Sequence, residues 1–111
     1  MGHNYDEDIR TGTLTGDRSA SAAIVAAVTS RTLSVKKVII SNSTTAAQTL
    51  TVEKADGTDL FVFHLPANST ITAEFFPGVL AGDSGAAIHI IASTSNTISV
   101  YMECYVTPRA L

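Results

Sequence analysis

From Leu33 to Val106 the chain is a succession of short β-branched runs separated by turn clusters, and no segment in it sustains a helical period. Turns recurring every ~10–12 residues leave an antiparallel sandwich or barrel as the architecture to expect. Leu33-Ser-Val-Lys-Lys-Val-Ile-Ile-Ser opens the series, and its apolar phase slips between Val35 and Val38, which points to a bulge at Lys36-Lys37. Gln48 to Lys54 alternates Leu50 and Val52 against Thr49, Thr51 and Glu53. Ala55-Asp-Gly-Thr is the strongest hairpin signal, because Asp-Gly supplies the positive φ angles of a tight turn. Leu60-Phe-Val-Phe-His-Leu is apolar on both phases and reads as a central strand covered on both sides. Ser69 to Phe76 sets Ile71, Ala73 and Phe75 on one face, and Ala86 to Ala92 follows the Gly82–Gly85 turn. In Thr97 to Val106, Ile98, Val100, Met102, Cys104 and Val106 alternate with Ser99, Tyr101, Glu103 and Tyr105. The fold class is therefore all-β: an antiparallel two-sheet β-sandwich, jelly-roll-like, of about 6–8 strands.

The first thirty residues read differently. Met1 to Asp17 is polar and acidic, with Tyr5, Ile9 and Leu14 as its sizeable apolar groups, so it buries too little surface to offset its own ordering entropy. Ser19 to Val28 reads as extended. The expected division is an N-terminal arm over residues 1–30 and a sandwich domain over 31–111, the arm lying across a partner when bound. Tyr5, Asp6, Glu7, Asp8, Ile9, Arg10 and Leu14 are its candidate contact residues.

Composition narrows the function. Charged residues make up 15% of the 111, against roughly 25% in an average soluble domain. Ser and Thr fill 26 positions and Ala another 15, so hydroxyls and small apolar groups must cover most of the surface. A net charge of −3 argues against a nucleic-acid binder, which needs a basic stripe to displace counterions. No apolar run reaches the ~20 residues of a membrane helix. Asp6, Glu7 and Asp8 arrive before any apolar stretch, unlike the order of a secretory signal. A surface this neutral suits coverage by other chains.

The search for chemistry comes back empty. Gly82-Asp-Ser-Gly85 matches the tetrapeptide around a chymotrypsin-like nucleophile, but neither His64 nor His89 sits in a matching histidine motif, and the sequence is ordinary turn composition. His3, His64 and His89 are not locally spaced as zinc ligands are, so no metal is expected. Asp56-Gly-Thr-Asp59 lacks the twelve-residue calcium loop and reads as a hairpin. Cys104 shares the apolar phase of its strand and reads as a buried thiol. Asn42-Ser-Thr44 and Asn68-Ser-Thr70 fit the glycosylation sequon, and turn chemistry accounts for both. No catalytic residues, no cofactor and no enzymatic activity are expected. Leu60, Val62, His64, His89 and Ile91 share a phase of apolar strand residues, which makes them candidates for an oligomer interface.

Val35-Lys-Lys-Val-Ile-Ile-Ser-Asn-Ser-Thr, Leu50-Thr-Val-Glu-Lys-Ala-Asp-Gly-Thr and His64-Leu-Pro-Ala-Asn-Ser-Thr-Ile give the region 33–106 a familiar rhythm. It resembles the small β-sandwich proteins that decorate or cement the capsids of tailed bacteriophages. The resemblance rests on strand rhythm and turn chemistry and carries over no invariant residues. It implies a virion protein made in the host bacterial cytoplasm and placed on the capsid surface. There it would sit on the major capsid protein as a homo-oligomer, most often a trimer, bridging capsomers. Two alternatives stay open: a tail, neck or fibre-associated adaptor, and a carbohydrate-binding sandwich module with Tyr101 and Tyr105 as its stacking pair.

Overall fold

The computed structural model describes residues 8–75, 80–94 and 97–107. Eight strands account for most of them: β1 (Ile9–Asp17), β2 (Ala22–Val25), β3 (Leu33–Asn42), β4 (Gln48–Lys54), β5 (Asp59–Leu65), β6 (Ser69–Glu74), β7 (Ile88–Ala92) and β8 (Thr97–Val106). They form two antiparallel sheets of four, ordered β1-β8-β3-β6 and β2-β7-β4-β5.

That order has a simple origin. β4 pairs with β5, β3 with β6, β2 with β7 and β1 with β8, so the chain runs out and back as one long antiparallel ribbon. Rolling the ribbon brings β3 beside β8 and β4 beside β7, which completes both sheets. This is the winding of a jelly roll. The tip of the ribbon is the Asp56-Gly57 turn. Gly57 takes φ +93°, Lys54 N–H donates to the Thr58 carbonyl at 2.8 Å, and Asp56 Oδ1 accepts from Thr58 N–H at 2.9 Å. The turn the sequence marks most clearly is thus the one that starts the ribbon.

Alternation builds the core. Ile98, Val100, Met102, Cys104 and Val106 of β8 are buried while Ser99, Tyr101, Glu103 and Tyr105 are half-buried on the other side. Val38, Ile40, Leu50, Val52, Ile88 and Ile90 complete the two inner faces. The expected bulge appears where the register of β3 on β8 shifts between Val35 and Lys37. Asn42, fully buried at the end of β3, organises the turn that follows. Its Nδ2 donates to the carbonyls of Ala46 and Pro66 at 3.0 and 3.1 Å, and its Oδ1 accepts from Thr44 N–H at 3.2 Å and Thr44 Oγ1 at 2.7 Å. Asn42→Ala strips two turns of their shared partner and leaves buried polar groups unpaired. We expect it to cost about 2–3 kcal/mol in urea unfolding, with native spectra retained.

Two expectations need correction. Over its described part, residues 8–30, the N-terminal segment is not an arm lying apart from a sandwich that begins at residue 31. β1 pairs with β8 along its whole length, from Ile9 opposite Tyr105 to Asp17 opposite Thr97, and β2 pairs with β7. The segment is poor in apolar residues because close backbone approach, rather than side-chain volume, seats it. A Cβ at Gly12 would lie 1.7 Å from the Ile24 carbonyl oxygen, so only glycine lets β1 cross β2 at that distance. Ladder hydrogen bonds and the packing of Leu14 supply what composition alone did not reveal.

The second correction concerns β5. It is not a central strand covered on both sides but the edge of its sheet, with Phe61 41% and Val62 39% exposed. Two-phase hydrophobicity cannot distinguish a strand buried between neighbours from one whose second face is left open.

Candidate functional site

The surfaces that could engage a partner are the two outer sheet faces and the four sheet edges. On the outer face of the β2-β7-β4-β5 sheet, Val62 lies opposite Thr51 and Thr51 opposite Ile91, forming one row across three strands. His64 lies opposite Thr49 in the next row. On the same face, in the row beyond Thr51, Glu53 lies opposite His89 and His89 opposite Ala23. Ser21 ties this end together, donating to Glu53 and meeting His89 Nδ1 at 3.1 Å. Glu53 is only 5% exposed there.

Four of the five expected interface residues, Val62, His64, His89 and Ile91, therefore do share one outer face. Leu60 does not. The register passes from Val52 opposite Phe61 to Glu53 opposite Asp59, so Leu60 is the extra residue of a bulge and packs against the core. Asp59 takes its place on the outer face. Sequence phase alone could not show this, because one bulged residue reverses every side chain before it.

The expected arm residues divide as well. Tyr5, Asp6 and Glu7 lie outside the described residues. Asp8 is part of the domain: its carboxylate pairs with Arg10 and, at 3.5 Å, with Arg31, and its carbonyl accepts from Val106 N–H at 2.8 Å. Ile9 sits opposite Tyr105, and Leu14 packs against the core opposite Val100. Asp8, Ile9, Arg10 and Leu14 thus have in-chain positions that an arm would have to abandon.

The outer face of the β1-β8-β3-β6 sheet is mostly polar. One row across all four strands consists of hydroxyl residues, Thr15, Ser99, Ser41 and Thr70. Thr15 meets Ser99 at 3.3 Å and Ser41 meets Thr70 at 3.0 Å. Nearby, Tyr101 donates its hydroxyl to Glu103 Oε2 at 2.7 Å and Lys36 donates to Oε1 at 3.1 Å. The tyrosine hydrogen bond, with the lysine's help, holds the Glu103 carboxyl below its ordinary range, and the same bond pushes the Tyr101 phenol upward. The Lys36 ammonium also stands 5.9 Å from the centre of the Tyr105 ring. Tyr101 and Tyr105 share this face, as the alternation requires, but both are half-buried and engaged within the chain rather than standing free as a stacking platform.

The features singled out for chemistry have structural positions. Asp83 of the Gly82–Gly85 turn pairs with Lys54 at 3.1 Å, and Gly85, at φ +72°, donates its N–H to the Arg31 carbonyl at 2.7 Å. Among the described residues, no three His, Cys, Asp or Glu groups come together as a metal site would require. Asn42 of the first sequon is fully buried. Burial pushes the Cys104 thiol up to about 12. The folded protein is therefore expected to react negligibly with Ellman's reagent at pH 8, and one thiol per chain should appear once guanidinium unfolds it. Prompt labelling of the native chain would mean that β8 opens readily.

Sequence reasoning missed an aromatic group at the open side of the sandwich. Phe61, Phe63 and Phe75 meet edge to face, with ring centres 4.7, 5.7 and 6.3 Å apart. Phe75 follows β6 and the other two lie on β5, so the group spans the seam between the sheets. The apolar run of residues 60–65 was its signal, read as a sign of burial.

No protein-family model matches the sequence, and no curated protein is similar to it. Similarity appears among solved structures. A chain of the capsid asymmetric unit of cyanophage Pam1 superposes with TM-score 0.54 at 14% identity, covering 95% of this chain and 89% of that one. A chain from the disulfide-linked pili of Bacillus endospore appendages gives TM-score 0.52 at 11% identity, covering 99% and 96%. A chain of the T13 particle of infectious bursal disease virus gives 0.53 at 13% identity, covering 93% of this chain but only 31% of its own length. At such identities the likeness is one of fold: a single jelly roll of the kind found in viral particles and in a bacterial surface fibre.

Proposed function

We propose that this chain is a virion structural protein that decorates or cements a phage head, binding the outer surface of the major capsid protein and stabilising contacts between capsomers. The observation that carries this reading is the likeness to the Pam1 capsid chain, which spans nearly all of both chains. A chain of about this size is thus one component of that capsid's asymmetric unit. The jelly roll by itself does not specify a role, but two features of this chain suit one on a shell. Its charge is low, and a row of hydroxyl residues crosses one outer face while Val62, Thr51 and Ile91 form a row on the other. Repeated around a shell, weak contacts of such faces add through multivalency. The protein would be made in the host cytoplasm and act as a homo-oligomer, for which the resemblance to cement proteins implies a trimer.

Residues 1–7, with Tyr5, Asp6 and Glu7, remain the part of the expected arm whose capsid contact we propose, since they precede the strand that is committed to the sheet. The test uses heads that lack the protein. Added full-length chain is expected to bind saturably and to raise the temperature at which heads lose their DNA, and deletion of residues 1–7 to weaken binding without changing the melting of the free protein. Heads that neither bind the chain nor gain heat resistance would overturn the reading.

The likeness to the spore-appendage chain favours one second reading, a tail, neck or fibre-associated virion component in which copies join in series. Labelled protein would then locate on the tail or fibre rather than over the head.

A further inference from the structure

We propose that β5 is a contact between two copies of this chain, the strands pairing antiparallel about a two-fold axis at Val62 so that two four-stranded sheets become one of eight. The contact is independent of any capsid, and it differs from whatever interface closes a trimer; on a shell it would link neighbouring oligomers.

The first argument is what β5 lacks. An edge strand presents unpaired N–H and C=O groups, and proteins blunt it with charges, proline, bulges or shortness. The other three edges are blunted. β1 carries Arg10, Asp17 and two glycines, β2 has four residues and a bulge, and β6 is polar and holds Glu74. β5 has its charge and its bulge only at its start, at Asp59 and Leu60, and from Phe61 to Leu65 it carries no acidic residue, lysine or arginine, no proline, no glycine and no bulge. It also carries Phe61 and Val62, the exposed large hydrophobics among the described residues. An edge left open and apolar marks a binding site.

The second argument identifies the occupant. β5 runs from Asp59 to Leu65, with Val62 at its midpoint, so a two-fold there uses the whole strand. That register sets Val62 against Val62 and Phe61 of each copy against Phe63 of the other. The rims with Phe75 then merge into one aromatic group across the seam. The bulge at Leu60 supplies charge complementarity. It turns Asp59 onto the outer face with Val62 and His64, where the same register brings the Asp59 carboxylate of each copy to the His64 imidazole of the other. Apolar, aromatic and polar positions all match themselves under one rotation, as an isologous contact requires.

The test is the native mass of the full chain by light scattering, together with cross-linking. Wild type is expected at an even multiple of the chain mass. Val62→Lys, which sets two ammonium groups opposite each other, is expected to halve that mass with the circular dichroism unchanged. Val62→Cys is expected to form a disulfide-linked dimer on mild oxidation, since Cys104 is buried, while Thr72→Cys on β6 is expected to form none. The cysteine pair decides the matter should Val62→Lys fail to fold. A monomer, an odd-numbered oligomer that Val62→Lys leaves intact, or Val62→Cys failing to cross-link would overturn the proposal. None of these results bears on head binding, which tests the cement reading separately.

Discussion

Valine at position 12 is expected to open the sandwich along its β1–β2 side. Even an alanine Cβ there would stand 1.7 Å from the Ile24 carbonyl oxygen and 2.7 Å from its carbon, and both are backbone atoms that cannot rotate away. Relief requires β1 to separate from β2, and β1 is held to the rest of the domain by its ladder with β8. Gly12→Val should therefore cost about 3 kcal/mol, the upper end of what overpacking imposes. Total stability for a domain of this kind is roughly 5–15 kcal/mol. The melting temperature should fall by about 15 °C on that figure. Gly12→Ala should fall in the same direction by less. If both variants melt within a few degrees of wild type, the close crossing of β1 and β2 is not a feature of the folded chain.

Removing residues 1–17 is expected to have the larger effect, because it deletes a whole strand. The edge of β8 would be uncovered from Thr97 to Tyr105, and Leu14 would be lost from its place against the core. The remaining chain should be insoluble, or should keep its far-ultraviolet signal while losing the near-ultraviolet one that reports fixed aromatic packing. Removing residues 1–7 leaves β1 whole and is expected to leave the melting curve unchanged. The contrast separates a sheet strand from a detachable arm. A soluble, cooperatively melting fragment of residues 18–111 would make residues 1–17 a detachable arm.

How much of this was legible in the sequence depends on which interaction fixed each element. β4, β6 and β8 were readable because one face of each turns to the core, buried in β4 and β8 and half-buried in β6, so alternation survives in the residues. The Asp56-Gly57 turn and the bulge at Lys36 were readable because both are local. β1 was obscured because its seat depends on the β8 ladder and on the absence of a Cβ at Gly12, and neither leaves an apolar signature. β5 was recognised as a strand but misplaced in its sheet, since an apolar second face looks the same whether a neighbour covers it or not. Val62, His64, His89 and Ile91 share a sheet face because phase alone places them there, whereas Leu60 leaves it at a bulge that only the register reveals. The aromatic seam was invisible because it joins β5 to the residue after β6, across two sheets.

The low charge now has a location. The row Thr15, Ser99, Ser41 and Thr70 on one face, the row Val62, Thr51 and Ile91 on the other, and the bare edge of β5 are where charges would otherwise be expected. A surface so composed fits a protein that works by being covered.

The most direct test of that account is a cryo-electron microscopy reconstruction of the virion that carries this chain. The account predicts density for the jelly roll on the outer surface of the head, in a copy number that scales with the capsomers and at sites that bridge them. Density confined to the neck, tail or fibres would contradict it.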